Sequence, residues 1–195
     1  MRKFLPAFVC FCLALILVPS SIGSTTSKIN TYPNLPAPIA KERILITSAG
    51  QAVEGAIMQS IAENLNLEAD YRPRALDTDL YEYKSVVIVV GYSKNGLAQT
   101  VRNFQEELSR SKHLVQEAEA NGISVIVVDF SGSLRNDSTT WKLLEEVIPH
   151  CTYYIGFSHT KKMDKLHAIV KEHHIPITLI DQIMDIEVPF NSAYR

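Results

Sequence analysis

Five short apolar runs, separated by longer segments, constrain the fold of this chain most strongly. Each run is continuous and rich in β-branched or aromatic residues, with no alternation of apolar and polar positions. The runs are Ile44–Ile46, Val86–Val90, Val125–Val128, Tyr153–Ile155 and Ile177–Ile180. Continuous runs of this kind are typical of strands buried on both faces. They predict a sheet with helices on both sides.

The segments between these runs carry apolar residues at helical spacing, which predicts four helices. Their apolar positions are Val53, Ile57, Ile61 and Leu65; Val101, Phe104, Leu108, Val115 and Ala118; Trp141, Leu144 and Val147; and Leu166, Ile169 and Val170. We expect the first helix to start near Gln51. We expect the second, which lies between Val90 and Gly122, to carry the positions from Val101 to Ala118 and to end at Asn121-Gly122, a common C-terminal stop.

The alternation of strands and helices predicts a parallel sheet with right-handed crossovers. A short edge strand at Glu68–Arg72 brings the number of strands to six, and Asp77–Tyr83 is expected to form a turn of helix. The link from the second strand to the third looks too short for a long crossover helix, which favours the order 2-1-3-4-5-6. The prediction is one α/β domain over residues 43–195, three-layered and Rossmann- or flavodoxin-like.

The N-terminus has the pattern of a secretory signal peptide at residues 1–23. Arg2 and Lys3 precede an apolar stretch of about 15 residues, shorter than a membrane span, and small residues follow. We expect cleavage after Gly23 and a secreted or periplasmic protein, with a retained anchor as the alternative. Residues 24–42 then form an extended, proline-rich lead. No membrane span is expected after cleavage.

Cleavage would leave 172 of the 195 residues, enough for one domain with a full core. Because Arg2 and Lys3 would be lost, 17 Lys and Arg would remain against 21 Asp and Glu, a formal charge of −4. This balance does not favour a nucleic-acid partner. Cys151 would be the sole cysteine, so no intramolecular disulfide is expected.

Polar residues follow several of the predicted strands, at the edge where open parallel sheets bind ligands. The candidate ligand-binding residues are Ser48, Gly50, Gln51, Gly91, Ser93, Lys94, Asn95 and Asp129. Solvated loop ends are the alternative explanation. Backbone N–H groups at a helix start, together with Lys94, favour a polar or anionic ligand.

No cofactor or metal motif accompanies these residues. The turn at Gly50 lacks the three glycines of a dinucleotide fingerprint, and Gly91–Gly96 is followed by Leu97 and Ala98 where a P-loop needs lysine and a hydroxyl. The histidines show no paired ligand spacing. We therefore predict no cofactor and no metal site.

Two alternatives to a binding domain stay open. A hydrolase would use Asp129 and His159 with Ser48 or Ser93 as nucleophile, although no G-x-S-x-G elbow is present. A protein–protein interaction module would use the proline-rich lead or another surface. The preferred hypothesis is a domain that binds a small polar or anionic ligand without transforming it. The sequence specifies neither that ligand nor the oligomeric state.

Four segments carry a resemblance to a known family. They are "LPAPI" at Leu35–Ile39, "ILITSAGQ" at Ile44–Gln51, "VIVVGYSKNGL" at Val87–Leu97 and "HHIPITLI" at His173–Ile180. With these segments the chain resembles the small secreted bacterial proteins called domain of unknown function 6305. The resemblance implies a signal peptide, a proline-rich lead and one α/β domain. It implies no established activity and therefore no catalytic residues.

Overall fold

The computed structural model describes residues 34–132 and 137–195. The predicted signal peptide at residues 1–23 and the first part of the lead lie outside these ranges. Within them, no helix has both the length and the apolar character that crossing a membrane would need.

The six described strands form one open parallel sheet. The strands are β1 (Ile44–Ala49), β2 (Ala69–Tyr71), β3 (Ser85–Val90), β4 (Ser124–Asp129), β5 (Tyr153–Phe157) and β6 (Ile177–Ile180). Their order is β2-β1-β3-β4-β5-β6, and each neighbouring pair is parallel. Every residue of β1 and β3 is buried. The predicted fold class and strand order are confirmed.

Helices cover both faces of this sheet. The described α-helices are α1 (Gly55–Asn64), α2 (Lys94–Ala98), α3 (Phe104–Ala120), α4 (Ser138–Val147), α5 (Met163–Glu172) and α6 (Glu187–Ser192). Short 3-10 helices lie at Asp77–Glu82, Ile148–His150 and Ile183–Ile186. On one face, Leu114 of α3, Leu144 of α4 and Leu166 of α5 share a core cluster. On the other, Met58 of α1 packs in a cluster that includes Phe190 of α6.

The prediction that the first helix starts near Gln51 is wrong. Gln51 has a left-handed backbone, with φ of 60°, and α1 begins at Gly55. The side chain of Gln51 donates to the carbonyl of Pro73 at 2.9 Å, which holds the chain in a turn rather than a helix. Val53, predicted on the buried face, is therefore outside α1 and 67% exposed. Met58, Ile61 and Ala62 form the buried face with Gly55.

The second predicted helix is present as α3 and ends at Asn121-Gly122 as expected, but it begins after Val101, and the short helix α2 before it was not predicted. Val101 lies in the link between them and is fully exposed. Asn103 begins α3 with a capping box: its side chain accepts from the Glu106 N–H at 3.0 Å, and its own N–H donates to the Glu106 carboxylate at 2.7 Å. Apolar periodicity alone does not register such a local stop and start.

The described part of the proline-rich lead lies against the domain. We call residues 35–41 the strap. The N–H groups of Ile39 and Ala40 both donate to the carbonyl of Ala193 at 2.9 Å, just after α6. The hydroxyl of Ser124 donates to the Ile39 carbonyl at 2.7 Å, and that of Ser85 donates to the Lys41 carbonyl at 2.8 Å. The strap therefore crosses the amino ends of β3 and β4.

Candidate functional site

The turns after β1 and β3 meet at the point where strand order reverses. The N–H of Gly91 donates to the Ala49 carbonyl at 2.9 Å, and that of Ser93 to the Gly50 carbonyl at 2.8 Å. Gln51 and Tyr92 form an antiparallel bridge. A Cβ on Gly50 would lie 2.6 Å from the Gly91 carbonyl oxygen, so only glycine fits there. The two turns are therefore bonded to each other at the place where such sheets commonly bind ligands.

A buried ion pair from α3 supports this pair of turns. Glu107 is 0% exposed and Arg110 is 6% exposed. One carboxylate oxygen of Glu107 accepts from the Gly50 N–H at 3.1 Å and from the Gln51 side-chain amide at 3.0 Å. Arg110 donates to both oxygens of Glu107, at 2.7 and 2.9 Å, and to the Ser48 carbonyl. A carboxylate of the chain itself thus occupies two donors of the turn.

Neither Glu107 nor Arg110 was among the residues singled out by sequence, although a signal for them exists. Glu107 stands seven residues before Leu114, and Arg110 four residues before it. That spacing places both charges on the stripe of α3 that faces the core. Charges on such a stripe are seldom fully buried unless they are paired. An acidic and a basic residue three apart on a core stripe therefore indicate an internal ion pair.

The two predicted serines of the turns also make bonds within the chain. The Ser48 hydroxyl is buried and donates to the Ala52 carbonyl at 3.1 Å. The Ser93 hydroxyl accepts from the Gly96 N–H at 3.0 Å and so caps α2. By contrast, Lys94 and Asn95 are exposed, and their side chains form no hydrogen bond or ion pair with residues 34–132 or 137–195.

Asp129, at the end of β4, belongs to a second polar group and is 1% exposed. One of its oxygens accepts from both the N–H of Ser131, at 2.8 Å, and the Ser131 hydroxyl; the other accepts from the Tyr154 hydroxyl at 3.0 Å. Burial raises the pKa of Asp129 above its ordinary value, the bonds from Ser131 and Tyr154 oppose that rise, and the charge of Glu54 adds to it. Burial also raises the pKa of Tyr154 well above its usual value.

The residues of the hydrolase alternative have other partners. His159 is exposed and its ring lies against that of Phe157, with 4.8 Å between ring centroids. Among the residues that the structure describes, no hydrogen bond joins His159 to Asp129, Ser48 or Ser93. The same residues include no group of three or more His, Cys, Asp or Glu side chains placed to hold a metal ion. The hydrolase assignment stays a prediction.

The molecule is thus an open, parallel α/β domain with polar residues along the carboxyl edge of its sheet. The family model described as Domain of unknown function (DUF6305) matches residues 41–194, and the chain belongs to this family. Neither a curated protein nor a solved structure matches the sequence.

Proposed function

We propose that this protein is a secreted domain that binds a small polar ligand at the carboxyl edge of its sheet and does not transform it. One observation carries the proposal. At the switch point of the sheet, the backbone is held by the chain's own hydrogen bonds, while the adjacent Lys94 and Asn95 have exposed side chains without partners in the described residues. A rigid support beside free polar groups suits ligand binding, because little order is lost on binding.

The contacts of the turn narrow the ligand chemistry. The Gly50 N–H and the Gln51 amide already donate to Glu107, so they are not free to bind an external anion. An anionic group on the ligand would instead meet the ammonium of Lys94, and Asn95 would bind a polar group beside it. No turnover is expected, because the Ser48 hydroxyl donates to the Ala52 carbonyl and the Ser93 hydroxyl caps α2.

A thermal-shift screen of the exported chain, with carboxylates, phosphates, sugars and amino acids, tests this function. A ligand at about 100 times its Kd adds about 2.7 kcal/mol to the free energy of unfolding. In a domain of this size each kcal/mol moves Tm by about 2–4 °C, so a hit should raise Tm by roughly 5–10 °C.

Paired charge reversals locate the site. Lys94→Glu should remove most of the shift, because it replaces the ammonium group of Lys94 with an anion. Lys171→Glu, on the exposed surface of α5, is the matched control and should leave the shift intact. Equal effects of the two variants, or no shift with any compound class, would refute the proposal.

Export is the second part of the proposal, and it is supported by the signal-peptide pattern of residues 1–23. Cleavage after Gly23 gives a mature chain that begins at Ser24. Mass analysis of the exported protein should therefore find Ser24 at its N-terminus. A mature protein that still begins at Met1 would show a retained anchor instead.

A further inference from the structure

A groove of about 820 Å³ lies at the amino edge of the sheet, on the side opposite the switch point. We call it the amino-edge groove. Its walls come from three segments and from Tyr194 near the C-terminus. The segments are Pro38–Lys41 of the strap, Asp77–Lys84 around the first 3-10 helix, and the end of α3 with the following Asn121–Ser124. Ligand sites for small molecules commonly have volumes of about 300–1,000 Å³, so the groove has the size of such a site.

The walls of the groove are held in place by hydrogen bonds within the chain, which are present before any ligand binds. The strap is fixed by Ser124 and Ser85, as described above. The Lys84 N–H donates to the Arg43 carbonyl at 2.9 Å, which joins the second wall to the start of β1. Within the 3-10 helix, the Asp79 carboxylate accepts from the Leu76 N–H at 2.8 Å. The groove is therefore preformed, which lowers the entropic cost of binding.

Tyr81 gives this groove an exposed aromatic surface. Tyr81 is 81% exposed. This is unusual, because the large apolar surface of a tyrosine ring is commonly packed against other side chains. Its hydroxyl donates to the Glu82 carboxylate at 3.0 Å, which restrains the ring from one end and leaves its faces open. A flat ring of this kind can pack against the C–H face of a ligand.

The charged side chains of the groove are balanced. Lys41 and Lys84 are exposed, and within the described residues their ammonium groups have no ion pair. On the other side, Asp77 accepts from the Thr78 N–H at 2.8 Å, and Glu117 accepts from the Asn121 amide at 2.7 Å through one oxygen each. A strongly charged ligand would be repelled by one of the two pairs. A hydroxyl both donates and accepts, so it can bind either pair.

From this combination we infer that the amino-edge groove binds a neutral saccharide. The C–H face of a sugar ring packs on Tyr81, while its hydroxyls accept from Lys41 and Lys84 and donate to Asp77 and Glu117. The site is separate from the one proposed at the carboxyl edge, and neither depends on the other.

Titration of the ¹⁵N-labelled exported chain with defined trisaccharides tests the inference. The neutral probes are cellotriose, maltotriose and triacetylchitotriose, and trigalacturonate is the anionic probe. Each is added to about 10 mM, which is well above a Kd of about 1 mM. At least one neutral trisaccharide should shift the amide signals of Tyr81, Asn121 and Gly122 in a saturable way, and trigalacturonate should bind more weakly.

Variants separate the groove from the rest of the surface. Tyr81→Ala should weaken binding of that trisaccharide by about 5-fold or more, and Lys84→Met by about 3-fold, a loss of one modest contact each. Lys171→Met, on the exposed surface of α5, should leave the affinity unchanged. Tyr81 is too exposed for its loss to unfold the domain, and circular dichroism checks this.

Three results would overturn the saccharide assignment. They are an absence of shifts with every neutral trisaccharide, tighter binding of trigalacturonate than of the neutral probes, and an unchanged affinity in both groove variants. Shifts confined to Lys94 and Asn95 would also overturn it, but would support the function proposed at the carboxyl edge. Saccharide binding at Tyr81 that is unchanged in Lys94→Glu, together with the absence of any Tm shift that Lys94→Glu removes, would support the groove and refute the function proposed at the carboxyl edge.

Discussion

The two edges of the sheet differ in how their polar groups are used. At the carboxyl edge, the turns after β1 and β3 are bonded to each other and to the buried Glu107. At the amino edge, a groove of about 820 Å³ remains open, and its lysines have no ion pair within the described residues. Strand order locates the switch point of a parallel sheet. Which polar groups remain available at that point depends on side chains from elsewhere in the chain, such as Glu107 of α3.

The largest expected effect comes from removing the Glu107 carboxylate, which supports the turn after β1. Glu107→Ala should lower the free energy of unfolding by about 3–5 kcal/mol, because it leaves the guanidinium of Arg110 buried without its partner. The Gly50 N–H and the Gln51 amide also lose their acceptor. Urea unfolding of the variant and the wild-type chain measures the difference.

Two controls sharpen this comparison of the edges. Formate carries the missing carboxylate and should restore part of the stability of Glu107→Ala, with little effect on the wild-type chain. At the amino edge, Tyr81→Ala should change the free energy of unfolding by no more than about 0.5 kcal/mol, as is usual for exposed positions. Similar small losses in Glu107→Ala and Tyr81→Ala would mean that the carboxyl edge is not held as described.

A smaller effect is expected from Asp129, whose ionisation should make the free energy of unfolding depend on pH. Burial raises the pKa of Asp129 in the native state, so the native chain keeps this proton to a higher pH than the unfolded chain, whose aspartates titrate near pH 4. Between those two pKa values the native state binds more protons. The free energy of unfolding contributed by Asp129 is therefore fully present below about pH 4 and is lost as pH rises through the native pKa.

Asp129→Asn tests this sign. The amide keeps an acceptor for Ser131 and has no carboxyl proton, so the fall in stability that Asp129 causes as pH rises should disappear. Urea unfolding of both chains at steps from about pH 4 to pH 8 gives the comparison. Curves that stay parallel over this whole interval would show that Asp129 does not titrate with a raised pKa.

The strands and their order were predictable because the signal is local and repeated. The strand Ser85–Val90 is apolar after its first residue, and all of its residues are buried. The order followed from the short link that holds the 3-10 helix Asp77–Glu82. Helix starts were less predictable, because a capping box such as that of Asn103 and Glu106 is a polar signal, which apolar periodicity does not detect.

The carboxyl-edge contacts and the groove were harder to predict because their partners are distant in sequence. Glu107 lies on a detectable stripe, but its bond to Gly50 spans 57 residues and depends on how α3 packs. The groove forms because the strap lies near Tyr81 and Glu117. No motif in Pro38–Lys41 predicts that the strap packs there. The sequence indicates that these residues lie in segments between strands and helices. The fold is needed to show which of those segments lie next to each other.

The strap also bears on the order in which the chain can fold. Leu35 donates to the Ser192 hydroxyl at 3.1 Å across 157 residues, and Ile39 and Ala40 share the carbonyl of Ala193. Contacts between residues so far apart in sequence form late in folding. The entropy cost of ordering the long intervening chain comes before the free energy that the contact contributes. A chain that lacks α6 and the residues after it would keep the strap's bonds to Ser85 and Ser124 but would lose those to Ser192 and Ala193, so the strap is fully held only once the last residues of the chain have folded.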